Sequence, residues 1–404
     1  MYENTPMNAI VVMPHYRLNA FGFLASHELA AEAREDGLDS VGNMGFWDQR
    51  TAIEWTAKNI GSFGGDASNI SIGGYSAGAY STFHQLSHDL FLPTSKSVVK
   101  RAILWSNGSG VQPRDIDQHQ EAFDELLTAL NIPMTASASE KLSKLRAQPS
   151  EAIVNKLNSL KRSEFRACSD GVFVNKSLIS SINNGEFGHR MRQRGVKLLL
   201  GECRDEHFLY RSWRAPGPSY QAVYQRLCGD YSEDVVRKVL KIYCPEQELP
   251  TGYDDWVDLF GKVYSSLQVH SLQRGLVQRL VDSGSEMGRD VLRYRIEWRA
   301  KCVDAFYPVE WQVSHDTDMA IWFQGNSWAE GLSEEEQSVV RPFAELFANF
   351  VGGGRAEMSL PGPNFAIRLN PQGETDIWED DRWLEGQKVW EAVNGSDDHI
   401  KAEL

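Results

Sequence analysis

Long apolar runs are missing from the 404-residue chain: nowhere do about 18 apolar residues follow one another, so no membrane-crossing helix is expected. The apolar segment at residues 8 to 13, NAIVVM, is too short for a signal-peptide core and is followed by no cleavage-like sequence. It reads as a buried strand. Positive charge is also in short supply, with 41 Lys and Arg against 55 Asp and Glu and a formal net charge of −14. That balance argues against nucleic acid or an anionic membrane as partner, since both demand basic patches. Cysteine is sparse and unpatterned: Cys168, Cys203, Cys228, Cys244 and Cys302 are odd in number and include no CxxC pair. A zinc site or a dense disulfide framework is not expected, a single Cys228 to Cys244 bridge stays open, and a reducing, cytoplasmic location is favoured.

What is present suits a large globular core, with 42% hydrophobic and 24% charged residues. Short apolar runs alternate with helical patterns over the first 110 residues, the mark of βαβ units and a parallel sheet. AIVVM (9 to 13), NISIG (69 to 73) and AILW (102 to 105) are the expected strands. Between the first two, Phe46, Ile53, Ala57 and Ile60 fall at helical spacing and give one apolar face. Helical stretches follow at about 115 to 165 and 219 to 283, with strands returning at VKLLLGE (196 to 202) and DVLRYRIEW (290 to 298). The expectation is a single α/β domain over residues 1 to 404, a doubly wound and mostly parallel sheet with helical insertions, ending in a polar and frayed tail from 395 to 404.

Gly74-Tyr75-Ser76-Ala77-Gly78 fits G-x-S-x-G, a nucleophile elbow. The serine sits in a strained turn, and glycines two residues to either side would remove Cβ atoms that collide with the adjoining strand and helix. The context agrees, since NISIG supplies a strand before it and AYSTFHQL a helix start after it. A serine hydroxyl needs a base, and the base an acid to orient it. On this architecture they follow in the order serine, acid, histidine. Directly after the 196 to 201 strand, ECRDEHF offers Glu202, Asp205 and Glu206, among which local logic does not choose. Of the later histidines, His399 is in the tail and His270 lies within a helical run as a satisfied helix-face residue; His315, in a polar loop after the 290 to 298 strand, is the candidate base.

The stretch GNMGFWDQRTAIEWTAKNIGSFGGDASNISIGGYSAGA resembles the signature region of type-B carboxylesterases, the cholinesterase and esterase-lipase family of α/β-hydrolases. The likeness runs on through HYRLNAFGFLA, SDGVFVNKSL, LLLGECRDEHF and VSHDTDMAIWF. The resemblance implies an α/β-hydrolase fold, a small-molecule ester substrate and no cofactor or metal. It implies a triad of Ser76, Glu206 and His315, with the Ala77 N–H in the oxyanion hole and Gly74 and Gly78 shaping the elbow. It also implies a buried structural ion pair between Arg17 and Asp48. Tyr75 stands where the family often has glutamate, which argues against choline esters. The absence of cysteine from about 110 to 131, where secreted members carry a disulfide, again favours an intracellular protein. Trp322, Phe323 and Trp328 are candidates for a substrate pocket or for core packing. The family's H-G-G-G-like oxyanion loop, roughly 80 residues before the serine, has no counterpart, and no glycine precedes Gly22. An N-terminally truncated esterase is therefore expected, missing a strand between AIVVM and NISIG, its sheet opened in the middle and its activity impaired. The alternative is a non-catalytic interaction protein on the same fold.

Overall fold

The computed structural model describes residues 7–157, 159–160, 164–325, 330–354 and 359–395. Six strands run in chain order across one sheet: β1 (Ile70–Tyr75), β2 (Val99–Trp105), β3 (Lys197–Cys203), β4 (Val291–Ile296), β5 (Phe365–Leu369) and β6 (Thr375–Glu379). The first five are mutually parallel and β6 pairs antiparallel with β5. Strands β1 to β4 coincide with the expected apolar runs, and β5 and β6 come in addition.

Period-two alternation divides the sheet between two cores. Ala102, Leu104, Leu198, Leu200 and Val291 face one, which is closed by the helices Ala77–Phe91, Ile116–Ala129, Trp256–Ser265, Ser271–Asp282 and Trp383–Asn394. Ile103, Trp105, Leu199, Leu292 and Tyr294 face the other, closed mainly by Val340, Phe343, Phe347 and Phe350 of the helix Glu334–Gly352. The near-continuous apolar strands follow from this, because a parallel sheet is covered on both faces.

Three expectations change at the N-terminal side. Residues 9 to 13 form no strand; Ile10, Val11, Val12 and Met13 are 47%, 52%, 44% and 85% exposed. Apolar content alone does not make a strand, whose backbone groups need a ladder partner, and among the described residues this run pairs with none. The sheet is not opened in its middle either: β1 is its terminal strand and the order from β1 to β6 is continuous. Finally, Arg17 and Asp48 do pair, Nε to Oδ2 at 2.8 Å and Nη2 to Oδ1 at 2.7 Å, but on the surface, with 53% and 26% of their side chains exposed. Residues 7 to 18 carry no regular structure that could cover them.

The helix Met44–Asn59 buries Phe46, as its spacing predicts, yet also buries Gln49 and Arg50, while Ile53 and Ala57 are only half-buried. Arg50 donates to Asp89 at 2.8 Å, so the buried charge is paired. The two long helical stretches each resolve into several helices, and His270 lies in the π-helical segment Ser266–His270 with its Nδ1 2.8 Å from Glu202 Oε2. All five cysteines are free thiols, Cys228 and Cys244 included. Among the described residues no helix is long and apolar enough to cross a membrane, and no cluster of His, Cys, Asp and Glu is arranged to hold a metal ion. His399, Trp328 and the tail beyond Gly395 lie outside the described residues.

Candidate active site

Three loops at the C-terminal ends of β1, β3 and β4 converge, the usual place for a site in an open parallel sheet. Ser76 occupies the sharp turn between β1 and the helix Ala77–Phe91, with φ 54° and ψ −117°. Its N–H donates to Trp105 O of β2 at 2.9 Å, and its own carbonyl accepts from Tyr80 N at 3.1 Å. A serine at positive φ is strained, and these two bonds hold it there.

The two elbow glycines differ in need. A Cβ on Gly74 would lie 2.2 Å from the backbone carbon and oxygen of Gly78, whereas a Cβ on Gly78 meets nothing within 4 Å. The expected requirement at both positions thus reduces to Gly74, because the close approach is between the Gly74 α-carbon and the Gly78 backbone, not the Gly78 side. Gly74→Ala is expected to destabilise the fold by about 3 kcal/mol, the upper end of ordinary overpacking costs. Gly78→Ala should be neutral or gain up to about 1 kcal/mol from helix propensity. Thermal unfolding of both variants checks the contrast.

His315 reaches Ser76 from the loop after β4, its Nε2 2.8 Å from Ser76 Oγ. On the other side of the ring, His315 Nδ1 faces Glu206 Oε2 in a short contact. Glu206 is fully buried and its Oε1 accepts the Cys203 N–H at 2.8 Å. With Nδ1 protonated toward the carboxylate, Nε2 is left to accept the Ser76 hydroxyl.

The three acids, left open by the residues alone, meet different partners. Glu202 accepts from Arg274 Nη1 at 2.9 Å and Arg295 Nη1 at 2.5 Å. Burial would raise its pKa, but Arg274, His270 and Arg295 together hold it well below the usual carboxylate value. Asp205 instead fastens the β3 loop to the histidine loop: its N–H donates to Val313 O at 2.9 Å, and its Oδ2 accepts from Val313 N at 3.1 Å and Arg204 Nε at 2.9 Å.

Tyr75 and Tyr210 lie at 4.8 and 5.2 Å from the His315 ring, centroid to centroid. Tyr210 sits four residues after Glu206, one helical turn on, a signal present in the sequence but not singled out there. Trp322, by contrast, packs in the core against Trp105, Tyr294, Phe343 and Phe347, and Phe323 lies half-buried against Trp105.

Asp318, also missed, follows His315 by three residues and is fully buried. Its Oδ2 accepts from Tyr294 Oη at 2.9 Å and Trp322 Nε1 at 3.2 Å, while Oδ1 has no hydrogen-bond partner. Burial, and then the negative charge of Glu206, push its carboxyl up to about 6. A folded-state value above the unfolded one means the native state holds the extra proton between the two, so stability falls as pH rises from about 4 toward 6. Asp318→Asn is expected to flatten the pH dependence of the thermal midpoint over that window relative to the parent.

The carboxylesterase family model matches residues 2–401. The chain is 46% identical over 396 residues to a protein named carboxylic ester hydrolase from Gibberella moniliformis, covering 98% of this chain and 72% of that one. It is 35% identical over 396 residues to an uncharacterized esterase/lipase of Schizosaccharomyces pombe, covering 97% and 72%, and 26% identical over 370 residues to human carboxylesterase 5A, covering 86% and 58%. With its parallel sheet and the loops described above, the chain belongs to the carboxylesterase family of α/β-hydrolases.

Proposed function

We propose that the chain is a serine carboxylic-ester hydrolase working through a Ser-His-Glu triad and an acyl-enzyme. The observation that carries this reading is the unbroken contact line from Ser76 Oγ through His315 to the buried Glu206. Ser76 Oγ attacks the ester carbonyl carbon as its proton passes to His315 Nε2. Glu206 holds the Nδ1 proton and stabilises the imidazolium. The Ala77 N–H, one of the first orphan donors of its helix, donates to the oxyanion. Collapse of the tetrahedral adduct breaks the ester C–O bond, and the alkoxide leaves with the proton from His315. Water then repeats the sequence on the acyl-serine and releases the acid, and His315 acts first as base and then as acid.

Turnover of p-nitrophenyl acyl esters, with both acid and alcohol quantified, tests this. The reading expects equimolar release above the rate in buffer. A folded protein with no release would favour the interaction-protein alternative.

A further inference from the structure

The helix Trp256–Ser265 borders a cavity of about 420 Å³. Phe260 and Tyr264 share one face of this helix, and the Tyr264 ring lies tilted, centroid to centroid 5.3 Å from Tyr210, which contacts His315. Lys262 and Ser265 lie on another face and line the cavity. None of Ser76, Glu206 and His315 is among the residues that line the cavity, although His207, next to Glu206, is.

Three cations from three different elements meet there: Arg204 from the end of β3, Lys262 from the helix and Arg382 from the approach to the helix Trp383–Asn394. Their carboxylate partners are mostly set behind the wall. Lys262 Nζ is 2.8 Å from Asp258, whose side chain is 3% exposed, and Arg204 is 2.9 Å from Asp205, which is turned to Val313; neither acid lines the cavity. Glu385, bound to Arg382 at 2.6 Å, is the single carboxylate among the described lining residues. The side chains of Arg204, Lys262 and Arg382 are 32%, 35% and 42% exposed, and all three line the cavity. His207 and His270 also line the wall, His270 with its Nδ1 turned to Glu202, and Lys262 is steadied over the Tyr253 ring at 5.0 Å. In a protein of net charge −14, a concave wall lined by three cations and one carboxylate, with two of the three counter-ions outside the lining, focuses positive potential. Its volume is in the range of small-molecule sites.

We propose that this cavity is a second binding site, for a small polyanion presenting two or more phosphate or carboxylate oxygens. The test is calorimetric titration of Ser76→Ala protein with inorganic phosphate and, separately, with citrate, at an ionic strength held constant with sodium chloride. Using Ser76→Ala makes the outcome independent of whether Ser76 is the nucleophile. Saturable one-to-one binding is expected for at least one anion, phosphate alone or citrate alone telling which oxyanion the site prefers. Lys262→Gln and Arg382→Gln should each weaken it by about tenfold or more, the loss of one charge-assisted hydrogen bond. Lys238→Gln, at an exposed cation on the helix Glu233–Tyr243, should leave it unchanged. Two single variants are used so that misfolding of one, seen in its thermal midpoint, leaves the other to decide. No saturation with either anion, or binding indifferent to both cavity substitutions, would overturn the proposal.

Discussion

Ser76→Ala is expected to lower kcat for an acyl ester by about 10⁶, with KM changed only a few-fold. The reason is positional. Ser76 Oγ is held by a strained turn 2.8 Å from His315 Nε2, and among the described residues no other hydroxyl is hydrogen-bonded to that nitrogen: Ser106 follows β2 at the next strand, where its N–H donates to Gly201 O. His315→Ala should cost about as much, since an alcohol without its base is inert at neutral pH, and the double variant should be no worse than either single one because the residues act as a unit. The remaining rate, about 10³ to 10⁴ over water, would come from binding and oxyanion stabilisation. Steady-state kinetics on the two single variants and the double variant measure this. A double variant far slower than both singles would show that the two residues work independently.

The second large effect separates two adjacent acids. Glu206→Gln should reduce kcat by about 10⁴, the scale seen when a triad acid becomes an amide. A Gln amide N–H2 turned to His315 Nδ1 forces the proton onto Nε2, and the ring then offers Ser76 a donor in place of an acceptor. Asp205→Asn keeps an oxygen for the Val313 N–H and loses chiefly the part-exposed pairing with Arg204, so its cost should stay below about tenfold. Parallel pre-steady-state measurements on both variants check the order. A larger loss for Asp205→Asn would reassign the acid.

How far such a site can be read from sequence is clear from these same residues. Ser76 was legible because its turn requires a local pattern, a glycine two residues before it between a strand and a helix, and β1 and the helix Ala77–Phe91 fall where that pattern puts them. His315 was legible from its place in a polar loop after a strand. The acid was not, because Glu202, Asp205 and Glu206 lie within five residues and differ only in which long-range partner each meets: Arg274, Val313 or His315. Resemblance selected Glu206 where local chemistry left all three open. Asp318 and Tyr210 escaped for a similar reason, since their relation to the histidine is set by how the β3 and β4 loops pack. Strands β5 and β6 are short, with FAIRL and TDIWE joined across a turn at Asn370 to Glu374, and the alternation in five residues is too brief to stand out without that turn. The AIVVM run failed in the opposite direction: its composition is that of a strand, but strand formation is a property of two segments, and among the described residues none pairs with it.

The central claim is that Ser76 is the nucleophile that carries the acyl group. Its most direct test is reaction of the protein with a fluorophosphonate, followed by digestion and mass spectrometry. One phosphonyl group is expected on the peptide that contains Ser76, absent from unfolded protein and abolished by Ser76→Ala or by prior incubation with an ester that acylates slowly reversibly. A well-folded protein that hydrolyses esters while its label sits on another residue, or that takes no label at all, would contradict the account.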